Sequence, residues 1–290
     1  MFLINATRGW PFSGKLLSNV RELRRAERRG GCAVGCDHDR TADDRLPWES
    51  DGRYGGWGGH AFYDTEPGAE RTPVVFVHGN QRDACDFEQH ADFFRKRGYR
   101  GDELWAITFG RGSPTHEEMA AQLDTFVEHV RDETGTDSVA LVGHSLGVTG
   151  IRFWLHERNR YEWVDTVVGL AGANHGTVLS SWCADAGMTD GVYRTSQFLR
   201  ADYETLEDHP LATLNADETP GEIEYYTIRG TGDPLFWGCE ESPELAGATN
   251  VVLDTDHDGV RTDRQAVARI FRWISGHHPY DISQQVAISG

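Results

Sequence analysis

Ser138-Val-Ala-Leu-Val-Gly143-His144-Ser145-Leu146-Gly147-Val-Thr-Gly-Ile-Arg-Phe-Trp-Leu155 decides how this chain folds. The apolar run at 138–142 reads as a buried strand, and 148–155 has helical spacing. Between them stands Gly-x-Ser-x-Gly. In a strand–turn–helix context this pattern marks a sharp elbow that lifts the serine oxygen above the C-terminal edge of a sheet. The turn forces Ser145 into a strained backbone conformation. Side chains in place of Gly143 and Gly147 would strike the neighbouring strand and helix. The helix that follows aims its N-terminus at the serine, where partial positive charge favours a developing oxyanion.

Outward from the elbow, strands alternate with helices. Thr72-Pro-Val-Val-Phe-Val77 is a buried strand ending in His78-Gly79-Asn80. A helix is expected over 86–97, with Gly98 as its C-cap. A strand over 103–109 follows. Thr115 and Glu118 form a capping box for a helix to about Thr134, whose face carries Met119, Leu123, Phe126, Val127 and Val130. Further strands are expected at 165–170, 223–228 and 250–253, and a last helix from about Thr262 to about Ile274. Residues 178–221 keep no period and read as a small cap. Residues 37–60, with the run Tyr54-Gly-Gly-Trp-Gly-Gly59, read as an irregular surface segment with aromatic anchors. The alternation predicts an α/β fold with a mostly parallel central sheet covered by helices on both faces. Residues 1–50 are expected to form an irregular N-terminal segment, and 51–290 one domain.

Composition narrows the function. The chain of 290 residues carries 46 Asp and Glu against 28 Lys and Arg, a net charge of −18. Only Lys15 and Lys96 are lysines. Such a surface fits a protein kept soluble in concentrated salt, where screening makes self-repulsion cheap, and a halophilic source is expected. The acidity excludes nucleic acid as a partner. Residues 1–30 oppose the trend, with seven cations against two carboxylates. No apolar stretch of about 7–15 residues follows those arginines, as a secretion signal would require, so a cytoplasmic location is expected. No run is long enough to insert stably in a membrane. Cys32-x3-Cys36 with His38 lacks a second pair at zinc spacing, so no metal is expected there. The five cysteines are expected to be mostly reduced, with a Cys183–Cys239 pair left open.

An activated serine needs a base, and the base needs an orienting carboxylate. Asp233 and His257 each follow one of the last two strands. Side chains at adjacent strand ends share a crevice, so both come within reach of Ser145. Among other histidines, His175 precedes the acid and is better read as holding a loop, while His144 should point away from the serine. Asp185 is a weaker alternative to Asp233. Two backbone N–H groups, of Leu146 and of Asn80, would form an oxyanion hole. His175, Trp182, Phe236 and Trp237 are candidates for lining an apolar substrate pocket.

Pro73-Val-Val-Phe-Val-His-Gly-Asn80, Gly143-His-Ser-Leu-Gly147 and Ala173-Asn-His-Gly-Thr177 resemble the α/β-hydrolase superfamily. The closer likeness is to class 2 lipases and secreted polyhydroxybutyrate depolymerases. The depolymerase likeness adds Tyr54 to Gly59, Asp233 after the penultimate strand, and Trp237-Gly-Cys239. The resemblance implies a Ser-His-Asp esterase of the lipase type with an acyl-enzyme, an acyl-ester substrate and no cofactor. A polyhydroxyalkanoate depolymerase is the alternative, and a non-catalytic binding protein of the same fold is a third. The cap is shorter than the aromatic-rich insertion of the polymer-degrading relatives.

Overall fold

The computed structural model describes residues 54–276. The expected N-terminal segment 1–50 lies outside them, as do Cys32, Cys36 and His38. In chain order the elements are β1 (Tyr54–Gly58), α1 (Gly59–Tyr63), β2 (Val74–Val77), α2 (Glu88–Arg95), β3 (Leu104–Phe109), α3 (His116–Thr134), β4 (Val139–His144), α4 (Leu146–Arg158), β5 (Val164–Leu170), α5 (Val178–Asp185), α6 (Pro210–Leu214), β6 (Glu224–Gly230), β7 (Thr249–Leu253), α7 (Gly259–Thr262) and α8 (Arg264–Ser275). The sheet order is β1-β3-β2-β4-β5-β6-β7. All pairs are parallel except β1 with β3.

The central strands β2 and β4 are buried along their whole length, because helices cover both faces of the sheet. That removes any alternation from their sequences. The helices begin and end where their caps dictate. Thr115 accepts from the Glu118 N–H and Glu118 closes the capping box on α3, while Gly135 ends it in the left-handed region at φ 66°. Asp263 caps α8, accepting from Gln265 and Ala266 N–H. The expected last helix is α8, and the separate short helix α7 precedes it.

The glycine-rich segment is the main correction. Tyr54–Gly58 is not irregular surface but the antiparallel edge strand of the sheet, and Tyr54 and Trp57 are in the core. Trp57 stacks on Phe62 at 5.7 Å, and Tyr54 meets Phe126 edge-on at 6.0 Å. The glycines follow from contact. Gly56 has φ 138°, and a Cβ there would lie 2.0 Å from the Ala106 carbonyl oxygen. Strand propensity penalises glycine, so the run reads as a loop until the neighbouring backbone is seen. The chain beyond it is held by buried carboxylates: Asp102 accepts from the His60 and Gly68 N–H groups, and Glu103 from those of Glu70 and Arg71.

The cap is made of α5, α6 and short 3-10 turns, with its own small cluster of Tyr203, Leu211 and Leu214 packed on Phe153 and Phe198. Cys183 and Cys239 are both free, so they do not pair. Cys85 is disulfide-bonded, so two of the three described cysteines are reduced. Cysteine count and spacing do not reveal which thiols the fold brings together. Among the described residues no helix is long and apolar enough to cross a membrane.

Candidate active site

The turn from β4 into α4 places Ser145 at the C-terminal edge of the sheet. Ser145 has φ 54° and ψ −121°, a conformation that costs a residue with a side chain about 1–3 kcal/mol. Its N–H is tied to the Leu170 carbonyl at 2.8 Å, which anchors the strained residue to β5. The flanking glycines are required by contact. A Cβ on Gly147 would lie 2.5 Å from the Val77 carbonyl oxygen and 2.6 Å from that of His78. A Cβ on Gly143 would lie 2.8 Å from Ile151 Cδ1 and 3.0 Å from the Val148 nitrogen.

Two loops from neighbouring strands converge on the serine. Asp233 follows β6, and its Oδ1 accepts from the Leu235 N–H at 2.9 Å, which leaves Oδ2 turned to His257. His257 follows β7. Its Nδ1 lies 2.7 Å from Asp233 Oδ2 and its Nε2 lies 2.9 Å from Ser145 Oγ. The carboxylate is buried, with a side-chain exposure of 1 % against 22 % for the imidazole. Burial works against a charged His257 ring, the Asp233 carboxylate favours one, and the balance holds its pKa above the ordinary 6.5. Phe236, itself buried, packs behind the ring at 5.9 Å.

The loop after β2 supplies the other side. His78 Nε2 accepts from the Phe109 N–H at 3.0 Å, so its Nδ1–H donates to the Gly79 carbonyl at 2.8 Å and braces the turn. The Asn80 side chain donates to the Val192 carbonyl at 3.0 Å and accepts from Ser113 at 2.7 Å. Its backbone N–H, and that of Leu146 at the start of α4, have no acceptor among the described residues. Two free donors thus flank Ser145, one of them at a helix N-terminus.

These groups open onto a cavity of about 190 Å³. Ser145, His257, Gly79 and Asn80 form its floor, and cap residues including Leu179, Cys183, Val192 and Leu199 form its wall. The four expected pocket residues do not line it. His175 lies in a separate surface recess, its ring between the Ser242 carbonyl and Glu218. Trp182 faces outward at 45 % exposure, Phe236 is core, and Trp237 lies beyond Leu235 on the same loop. The true lining was visible only as the pair Leu179 and Cys183, one helical turn apart on α5; Val192 and Leu199 reach the cavity from irregular turns.

The sequence places the His144 side chain pointing away from that of Ser145. In the structure it lines the same cavity as Ser145, and its Nε2 lies 3.0 Å from the His257 carbonyl oxygen. Arg82 lies beside it at the mouth, holding Asp258 with two contacts of 2.8 Å. Among the described residues no group of three or more His, Cys, Asp or Glu is placed to hold a metal ion.

Residues 71–208 match a family model described as lipase (class 2). The match takes in Asn80 and Ser145 and ends before Asp233 and His257. Similar solved structures include a lipase of Bacillus licheniformis in mature form, 20 % identical over 72 % of this chain and 94 % of that chain, with a TM-score of 0.53. An α/β-hydrolase enzyme from the metagenome of lagoon sediments at Mar Chica, Morocco, is 16 % identical over 80 % of this chain and 99 % of that one, with a TM-score of 0.52. Lipase B of Aspergillus fumigatus is 15 % identical over 71 % of this chain and 52 % of that one, with a TM-score of 0.55. At such identities the likeness to these structures establishes the fold. The chain has the α/β-hydrolase fold and resembles class 2 lipases, a group of lipase- and esterase-type hydrolases.

Proposed function

We propose that the protein is a serine carboxylic-ester hydrolase that works through Ser145, His257 and Asp233 and a covalent acyl-enzyme. The observation that carries this reading is the unbroken chain from Ser145 Oγ to His257 Nε2 at 2.9 Å and from His257 Nδ1 to Asp233 Oδ2 at 2.7 Å. An ionised carboxylate only accepts, so Nδ1 carries the ring proton and Nε2 keeps a lone pair for the serine hydroxyl. As Ser145 Oγ attacks the ester carbonyl, its proton passes to Nε2. The imidazolium is stabilised by Asp233, and the oxyanion by the N–H groups of Asn80 and Leu146. Collapse expels the alcohol, which takes the proton from His257. Water then attacks the acyl carbon with the same ring as base, and the acid leaves as Ser145 is restored. No step calls for a cofactor.

The cavity supports a small acyl group. Its 190 Å³ is below the range of about 300–1,000 Å³ for sites that enclose drug-sized ligands. Its wall of Leu179, Val192 and Leu199 is apolar, as an acyl chain needs. One observation favours the polyhydroxyalkanoate reading. Val178 and Trp182 are exposed at 40 % and 45 %, on the helix whose other face lines the cavity. They offer an apolar surface beside the site for an insoluble polyester. A non-catalytic role fits poorly with a half-buried Ser145 in hydrogen-bond contact with its base.

Ser145→Ala tests the reading. It should cut hydrolysis of p-nitrophenyl acetate by about 10⁴-fold or more, with the thermal transition unchanged. Activity retained in the folded variant rejects the mechanism.

A further inference from the structure

We propose that His144 is a positioning residue for the reaction: its ring Nε2–H holds the main-chain carbonyl of His257, and this bond sets where the His257 imidazole stands relative to Ser145. The inference rests on the reading of Ser145 and His257 as nucleophile and base.

The geometry fixes the donor. Nε2 is 3.0 Å from the His257 carbonyl oxygen, and a carbonyl only accepts, so the proton must sit on Nε2. Nδ1 is then a bare lone pair. It is buried and has no partner. The ring is only 2 % exposed, so water does not make good the loss. A buried acceptor without a donor weakens a fold. An apolar side chain of similar size would avoid that cost at this position, and it would also lose the bond to His257.

No other hydrogen bond reaches the His257 main chain among the described residues. The loop between β7 and α7 is otherwise tied through its neighbours, by Arg82 on Asp258 and by Asp256 Oδ1 accepting from the Gly259 N–H at 2.7 Å. The same histidine also touches the loop that carries Asn80. A Cβ on Gly79 would lie 3.2 Å from His144 Nδ1 and 3.0 Å from Ser145 Cβ. One rigid ring, fixed at the end of β4 beside the nucleophile, thus spaces the base loop from the oxyanion loop.

The ring also keeps out of the proton traffic. Burial first, then the charges of His257, Arg261 and Arg82 around it, disfavour its cation and hold its pKa well below 6.5. When His257 becomes an imidazolium, the ring 5.0 Å away stays neutral and does not oppose it.

Two variants and one spectrum test this. In His144→Met the donor is lost at similar volume. In His144→Gln the side-chain amide N–H reaches about where Nε2 stood. With p-nitrophenyl acetate, His144→Met should lower kcat by about 10–100-fold and leave KM within about twofold, and His144→Gln should recover kcat to within about threefold of the unmodified enzyme. A folded His144→Met with unchanged kcat overturns the proposal, as does an equal loss in both variants. Imidazole ¹⁵N spectra of the unmodified protein need no variant to fold. They should show His144 with Nε2 protonated and Nδ1 bare from about pH 5 to about pH 9, and a ring that titrates in that window, or the opposite tautomer, overturns it. Were the unmodified protein inactive on esters, the ester-hydrolase reading would fall, while the spectra would still report on the His144 bond.

Discussion

The elbow and the cap face each other across one cavity and are held by opposite means. At the elbow, backbone contacts leave no choice. Ser145 is strained, Gly143 and Gly147 have no room for a Cβ, and the strand beneath is wholly buried. In the cap, polar ties join shorter elements. Arg194 reaches Glu118 at 2.8 Å and 3.2 Å, Arg200 bridges Asp185 and Asp202, and the buried Arg152 donates to the Leu214 carbonyl and to Asn215. Its apolar packing comes from the small cluster of Tyr203, Leu211 and Leu214 and from buried Leu179, Val192 and Leu199 beside the cavity. Exposed ion pairs contribute about 0–1 kcal/mol each, so the cap can change residue by residue where the elbow cannot. On the proposed function, the reaction belongs to the elbow and the choice of substrate to the cap.

Four changes probe that division beyond Ser145→Ala, in descending order of expected effect. Asp233→Asn should lower kcat by about 10³–10⁴-fold, because the ring loses the partner that fixes its tautomer. It should also move the pH profile. His257 must be neutral to act as base and its pKa lies above 6.5, so kcat/KM should rise with pH through a value above 6.5. Without the carboxylate, burial and Arg82 disfavour the cation and only Asp258 favours it, so that limb should shift to lower pH. A limb at or below 6.5 in the unmodified enzyme would contradict the assignment. Gly147→Ala should destabilise the protein by about 3 kcal/mol in denaturant titrations, since the added methyl meets two backbone oxygens. A neutral effect would show that the elbow yields more than its geometry implies.

Effects in the cap should be smaller and of another kind. Leu199→Phe fills part of the cavity and should shift the kcat/KM ratio of acetate to octanoate esters by about tenfold, leaving stability within about 1 kcal/mol. An equal fall for both esters would place Leu199 in the machinery rather than in selection. Trp182→Ala should leave turnover of soluble esters within about twofold, because the side chain faces outward. Adsorption to polyester granules, measured by depletion, should weaken if that surface is used, and unchanged adsorption removes the support for the polymer reading.

The fold was legible wherever one residue pattern allowed one conformation. The buried strands, the Thr115–Glu118 capping box and the elbow with its flanking strand and helix were all readable from local sequence. Asp233 and His257 were readable too, because strand ends in a parallel sheet converge. The edge strand Tyr54–Gly58 was not, since its glycines answer to the β3 backbone rather than to each other. The pocket wall was not, since Val192 and Leu199 come from turns with no period.

By itself, the sequence determined the elbow, the α/β architecture and the order of the chemistry-bearing residues. Each depends on local backbone sterics and on the alternation of buried strands with helices. Tertiary structure alone decided that Cys85 is bonded while Cys183 and Cys239 are free, that Trp182 faces solvent and that His144 meets the His257 carbonyl. Those outcomes depend on contacts between residues up to 113 positions apart, and no local pattern encodes such distances.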